Sequence, residues 1–147
     1  MNRQIQPQHI RELARLIEGF DFAMLTTVDT DGSLRSRPIS ARQAAFDGDL
    51  WFITTNATGE AIEIMRQSRV NVSYARPSKQ RYVSVSGHAW LIDDPARLAE
   101  LWSPAHEADY PDGKDDPSLR LIRVKVDAAE YWDAHCRGER ICLGDGA

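Results

Sequence analysis

Apolar residues recur along this chain at two different periods, and the switches between them mark its elements. Ile10, Leu13, Ala14 and Ile17 follow helical spacing, and Pro7 precedes them where a first-turn residue needs no N–H. Gly19 ends that helix, so residues 1–19 form a helical segment whose apolar stripe must pack on the sheet predicted next. Phe22 to Val28 is apolar at nearly every position, as in a strand covered on both faces. Asp31-Gly32 predicts a tight turn, and Leu34 to Ser40 an antiparallel return. Pro38 cannot donate to a ladder, which predicts a bulge or an unpaired side there.

Phe46-Asp47-Gly48-Asp49-Leu50 is a second turn, and Trp51 to Thr55 a third strand. From Thr58 to Ser68 the period is helical, with Thr58 as N-cap, Glu60 in the first turn, and Ala61, Ile62 and Met65 on the inward side. Val70, Val72 and Tyr74 alternate as in a half-buried strand. A long strand from Arg81 to Ile92 turns Val83, Val85, Gly87, Ala89 and Leu91 one way and Tyr82, Ser84, Ser86, His88 and Trp90 the other. Asp94-Pro95 opens a helix that buries Leu98, Leu101 and Trp102. Glu107 to Pro117 is a polar, exposed loop, Leu121 to Val126 the last strand, and residues 134–147 a weakly specified tail. Six strands in hairpin order, interrupted by short helices, predict a single mainly β domain over residues 1–147. Its expected form is a closed antiparallel barrel with helical decorations.

Composition narrows the function more than the fold. A formal charge of −4 with 18 dispersed Lys and Arg excludes a general nucleic-acid binder, and Arg76, Lys79 and Arg81 are expected on a solvated face. Met1 to Gln6 holds no signal-like apolar core and no run is long enough to span a bilayer. A cytoplasmic protein without membrane contacts is the expectation. The sequons Asn56-Ala57-Thr58 and Asn71-Val72-Ser73 are then incidental. Cys136 and Cys142 show neither a disulfide framework nor metal-ligand spacing, so free thiols are expected. The carboxylates of the 107–117 loop do not match calcium-loop spacing, and no metal is assigned.

Familiar catalytic signatures are missing. There is no Gly-x-Ser-x-Gly elbow, phosphate-binding Walker loop or His-Glu-x-x-His helix, and Gly144-Asp145-Gly146 lacks the flanking elements of a dinucleotide fingerprint. His9, His106 and His135 are expected at the surface, and His88 in a structural hydrogen bond. Polar groups gather instead around one strand–helix junction, as in proteins where a cofactor carries the chemistry.

The pieces Met24-Leu25-Thr26-Thr27 with Asp31-Gly32, Ser36-Arg37-Pro38-Ile39 and Leu50-Trp51-Phe52-Ile53-Thr54 occur in that order. Tyr82-Val83-Ser84-Val85-Ser86-Gly87-His88-Ala89, Leu101-Trp102-Ser103-Pro104, Tyr110-Pro111-Asp112-Gly113 with Asp115-Asp116-Pro117, and Ala129-Glu130-Tyr131-Trp132-Asp133 come after them. Together they resemble the flavin-binding split-barrel superfamily related to pyridoxamine phosphate oxidase, nearest its bacterial general stress protein branch. The resemblance runs from about Phe22 to Trp132. It implies a six-stranded antiparallel split β-barrel and a homodimer with flavin in two clefts between the subunits. The strand of Ser36, Arg37, Pro38, Ile39 and Ser40 would run along the flavin, with Arg37 reaching the phosphate. Ile53, Thr54 and Thr55 would touch the ring and ribityl chain, Thr58, Gly59 and Glu60 would face the phosphate, and Tyr82 would meet the ring from the partner side.

One departure stands out: many relatives carry Arg or Lys where this chain has Gly59 and Glu60. The resemblance implies FMN as the cofactor, and this departure makes FAD its rival. Three functions are compatible with the resemblance: a flavin-dependent oxidoreductase using NADH, NADPH or another donor, a protein that sequesters flavin without fast turnover, or a cofactor-less dimeric interaction module. Pyridoxamine phosphate oxidase activity itself is not expected, because the short tail lacks the Arg- and His-bearing segment that grips that substrate in relatives.

Overall fold

The computed structural model describes residues 7–42, 46–135 and 137–142. Among these residues seven strands form one antiparallel sheet: β1 (Phe22–Val28), β2 (Leu34–Ser40), β3 (Asp49–Thr55), β4 (Arg69–Arg76), β5 (Arg81–Ile92), β6 (Leu119–Trp132) and β7 (Arg137–Cys142). Three α-helices join them, α1 (Pro7–Ile17), α2 (Gly59–Arg66) and α3 (Pro95–Leu101), with 3₁₀ turns at Pro77–Lys79 and Pro104–Ala108. Strand order is β2-β1-β4-β5-β6-β3, with β7 also on β6. Among the described residues no ladder joins β2 to β3, so the curled sheet is a half-barrel open at that seam rather than a closed barrel.

Hairpin chemistry explains the first part. Gly32 at φ +85° closes the β1–β2 turn, and Asp31 holds it by accepting from the Ser33 N–H. The register then sets Leu25 opposite Arg37 and Met24 opposite Pro38 with no bulge. Pro38 is tolerated because β2 is an edge strand, paired only with β1. The irregularity lies elsewhere, between Ser86 and Gly87 of β5, where the ladder to β6 slips by one residue. Gly87 is required there: a Cβ would lie 2.1 Å from the Lys125 carbonyl oxygen.

The long β6 serves two neighbours along one edge. Its first half pairs with β3 and its second half, Ala128 to Trp132, with β7. The last predicted strand therefore extends well past Val126, and part of the expected tail is a seventh strand. Cys142 closes β7, whereas Cys136, Gly144-Asp145-Gly146 and Met1 to Gln6 lie outside the described residues.

The main core joins Leu13, Leu16 and Ile17 of α1 to Leu25, Val72, Val83, Val85, Ile122 and Val124. A smaller cluster holds Ile53, Leu98, Leu119 and Leu121, with Trp102 and Tyr110 packed against it. Several expectations about faces need correcting. β1 is covered on one side only, since Phe22 and Met24 are 57% and 40% exposed. In α2 the buried residues are Ala61, Glu63 and Ile64, while Ile62 and Met65 point outward. Trp132 lines an outer groove beside Tyr82. Arg76 is not a freely solvated cation: its guanidinium lies 4.0 Å from the Phe20 ring centroid and donates to the Gly19 carbonyl. His106 is buried, and its Nδ1 accepts from the Ser103 N–H. Burial and the nearby Arg42 cation hold that imidazole below its ordinary pKa. His88 bonds Asp127 through Nδ1 at 2.9 Å.

Replacing Gly87 with Ala should destabilise the fold by about 2 kcal/mol or more, because the clash is with backbone and cannot relax locally. Urea unfolding of both proteins measures this directly.

Candidate functional site

Arg37, Thr54, Thr58 and Glu60 converge at the junction of β2, β3 and α2. The β1–β2 register and the alternation of burial turn Arg37 and the buried Ile39 toward the same side of the sheet. The Arg37 guanidinium then spans several groups. Nη1 donates to Thr27 Oγ1 at 2.6 Å, Nη2 donates to Glu63 Oε1 at 2.9 Å, and Nε lies 3.9 Å from Glu60 Oε2.

Thr58 is the N-cap of α2, its hydroxyl accepting from the Ala61 N–H at 3.3 Å. Thr54, fully buried at the end of β3, places its Oγ1 3.0 Å from Thr58 Oγ1 and donates to Glu60 Oε1 at 3.2 Å. Glu63 sits one helical turn further on, and its side chain reaches back along α2, as helical geometry directs. A Cβ added at Gly59 would lie 3.6 Å from Glu63 Oε1, so this carboxylate lies beside the first residue of the helix. Tyr110 joins from the loop after α3, donating to the Ile53 carbonyl at 2.9 Å. Burial, together with the charges of Asp109 and Glu60, pushes its phenol up to about 12, so it remains a donor.

The remaining candidate residues are dispersed around this cluster. Ser36 is on the outer face of β2, its hydroxyl 2.6 Å from that of Thr26. Pro38 is exposed, Ile39 lies in the main core, and the Ser40 hydroxyl is buried. Ile53 belongs to the smaller cluster, Thr55 is half-buried, and Gly59 is exposed. Tyr82 is on the outer face of β5, beside Phe22, Met24 and Trp132 in a groove of about 390 Å³. Within one chain it does not meet Arg37.

Thr27, Glu63 and Tyr110 complete the cluster, and none of them is a site residue on sequence grounds. Thr27 is recoverable from the hairpin, since it stands two positions from the partner of Arg37 on the same face of β1. A charged residue between Ala61 and Ile64 is the signal for Glu63.

The comparisons with known proteins bear on what this geometry serves. The family model for pyridoxamine 5'-phosphate oxidase like proteins matches residues 8–143. The chain belongs to that family. Its fold is the family's split barrel: a solved Clostridium acetobutylicum protein related to general stress protein 26 superimposes with a TM-score of 0.78 at 18% identity, covering 94% of this chain and 96% of that one. The general stress FMN/FAD binding protein of Xanthomonas citri is 26% identical, with a TM-score of 0.71 over 95% of this chain and all of that one (100%). Protein bli-3 of Neurospora crassa is 28% identical over 134 residues, 84% of this chain, and the match spans only 64% of that protein's length.

The phosphate that such flavins carry does not fit the mouth of α2 as it is built here. One guanidinium faces two carboxylates, a net charge of −1, and Arg37 is already engaged by Thr27 and Glu63. The helix terminus contributes only about half a positive charge, so a dianion at this point meets net repulsion.

Arg37→Ala should cost about 3 kcal/mol of stability, since it strands the Glu63 carboxylate in a buried site. Adding Glu63→Gln should restore part of that loss. Chemical unfolding of the two single variants and the double variant reads the coupling, and simple additivity would show that the pair is not coupled.

Proposed function

We propose that this protein binds flavin and acts as a flavin-dependent oxidoreductase in the cytoplasm, as a homodimer. The single observation behind the reading is the convergence of Arg37, Thr54 and Thr58 at the open β2–β3 seam. Family membership and the likeness to an FMN/FAD binding protein over its whole chain support it. When bound, a flavin supplies hydride and electron transfer through its ring; that chemistry is common to FMN and FAD, the two candidates named on the resemblance. The chain's own residues would position the cofactor: β2 along its length, Thr54 and Thr58 as hydroxyl partners, and the small apolar cluster around Ile53 and Tyr110 as a wall against water. No step needs a protein nucleophile, and NADH or NADPH is the proposed donor.

A second copy is the proposed cover for the outer face of β1 and β5. Phe22, Met24 and Tyr82 are exposed there together, at 57%, 40% and 41%, around the groove that Trp132 lines. Tyr82 could then approach a flavin held by the other copy.

Two measurements test the reading. The purified protein, or the protein reconstituted with flavin, should show a flavin absorption spectrum that bleaches with NADH or NADPH and returns in air. A bound flavin that neither donor bleaches would favour storage over turnover, and failure to take up any flavin would favour the cofactor-less module. Met24→Asp should convert a dimer to monomer in sedimentation and weaken flavin binding together with it; an unchanged dimer would place the interface elsewhere.

A further inference from the structure

The carboxylates at the mouth of α2 carry a consequence for ligand choice that rests on the flavin reading above. Glu63 is only 6% exposed, and its Oε2 finds no hydrogen-bond partner among the described residues although its Oε1 pairs with Arg37. A buried, unpartnered acceptor is expensive to leave unsatisfied, and the other oxygen of the same carboxylate, Oε1, lies beside Gly59 at the start of the helix. Glu60 adds a second carboxylate, 18% exposed, bonded to Thr54 and 3.9 Å from Arg37 Nε. The mouth is thus rich in acceptors and poor in free cations. A phosphomonoester brings more acceptors and up to two negative charges. A terminal hydroxyl brings a donor and no charge.

We propose that the mouth of α2 selects the uncharged, hydroxyl-terminated end of a ribityl chain over a phosphorylated one, with Glu60 as the specificity-determining residue. Glu63 is committed to Arg37 and holds the guanidinium away from any incoming anion. Glu60, nearer the helix start and more open, is the group that an incoming chain end meets. Among flavins, riboflavin is the ligand that fits this chemistry. FMN places its phosphate against Glu60, and FAD must lead a diphosphate past the same carboxylate.

Equilibrium titrations of the full-length protein with riboflavin, FMN and FAD, read by quenching of flavin fluorescence, decide the matter. Riboflavin should bind roughly tenfold or more tightly than FMN at low salt. Raising salt to about 0.5 M should narrow that gap by screening the repulsion on FMN while leaving riboflavin almost unchanged. Glu60→Gln should shift the FMN-to-riboflavin affinity ratio toward FMN by about tenfold, and thermal melts of the variant check that it folds. FMN or FAD binding more tightly than riboflavin to the unaltered protein would overturn the proposal while leaving the flavin reading intact. So would a Glu60→Gln protein that is folded and keeps the original preference. Absence of binding for all three flavins would overturn both.

Discussion

The contact between the Arg37 guanidinium and the Glu63 carboxylate, 2.9 Å long and largely removed from water, constrains everything around the seam of the barrel. It ties an edge strand to a helix that belongs to a different part of the chain. β2 has a ladder on one side only, and Pro38 removes a donor from it, so backbone bonding alone holds this strand less firmly than its neighbours. Crossing from Arg37 to α2 fixes its other side without a ladder. The seam between β2 and β3 can stay open and still be rigid where it matters.

That solution constrains the chemistry. A guanidinium held by a buried carboxylate and by the Thr27 hydroxyl has little capacity left for an anion, and freeing it would leave Glu63 charged in a dry place. The same side chain therefore cannot serve fully both as a structural cross-link and as a phosphate ligand. Glu60 completes the change of character, because it turns the remaining polar surface of the helix start toward accepting rather than donating groups. Local charge, more than the fold, decides what the end of a bound chain must look like.

Much of this architecture was legible in the sequence, and the failures have physical causes. β1 and β2 begin and end where their apolar stretch and turn residues place them, and β5 where alternation does, because Gly32 and the apolar–polar period act locally. The N-cap role of Thr58 was equally local. What escaped were features set by distant partners. Glu63 looks like a surface residue of a short amphipathic helix until Arg37, 26 positions earlier, pairs with it on the inner side, and Ile62 and Met65 lie on the outside. His106 looks like a loop histidine until Ser103 and the packing around it bury it. β7 carries charges at three of its six positions and shows no period of its own, since its strand character comes from the free edge of β6. In the candidate site, Arg37, Thr54, Thr58 and Glu60 could be named from motif order, whereas Thr27 and Tyr110 required the register and the tertiary packing.

Ring and chain end can be treated as separate problems in this fold. Hydride and electron transfer belong to the flavin ring, and the groove that holds Tyr82, the ring's proposed neighbour, is lined by uncharged residues, unlike the mouth of α2. The mouth meets only the far end of the ligand, where interactions are charge-dominated and sensitive to a single carboxylate. Altering the end-binding group therefore changes which flavin is held without altering what a held flavin can do. On the proposed reading, this protein would keep a flavin's redox chemistry while turning away a phosphorylated chain end, provided the buried Arg37–Glu63 pair keeps the seam in place.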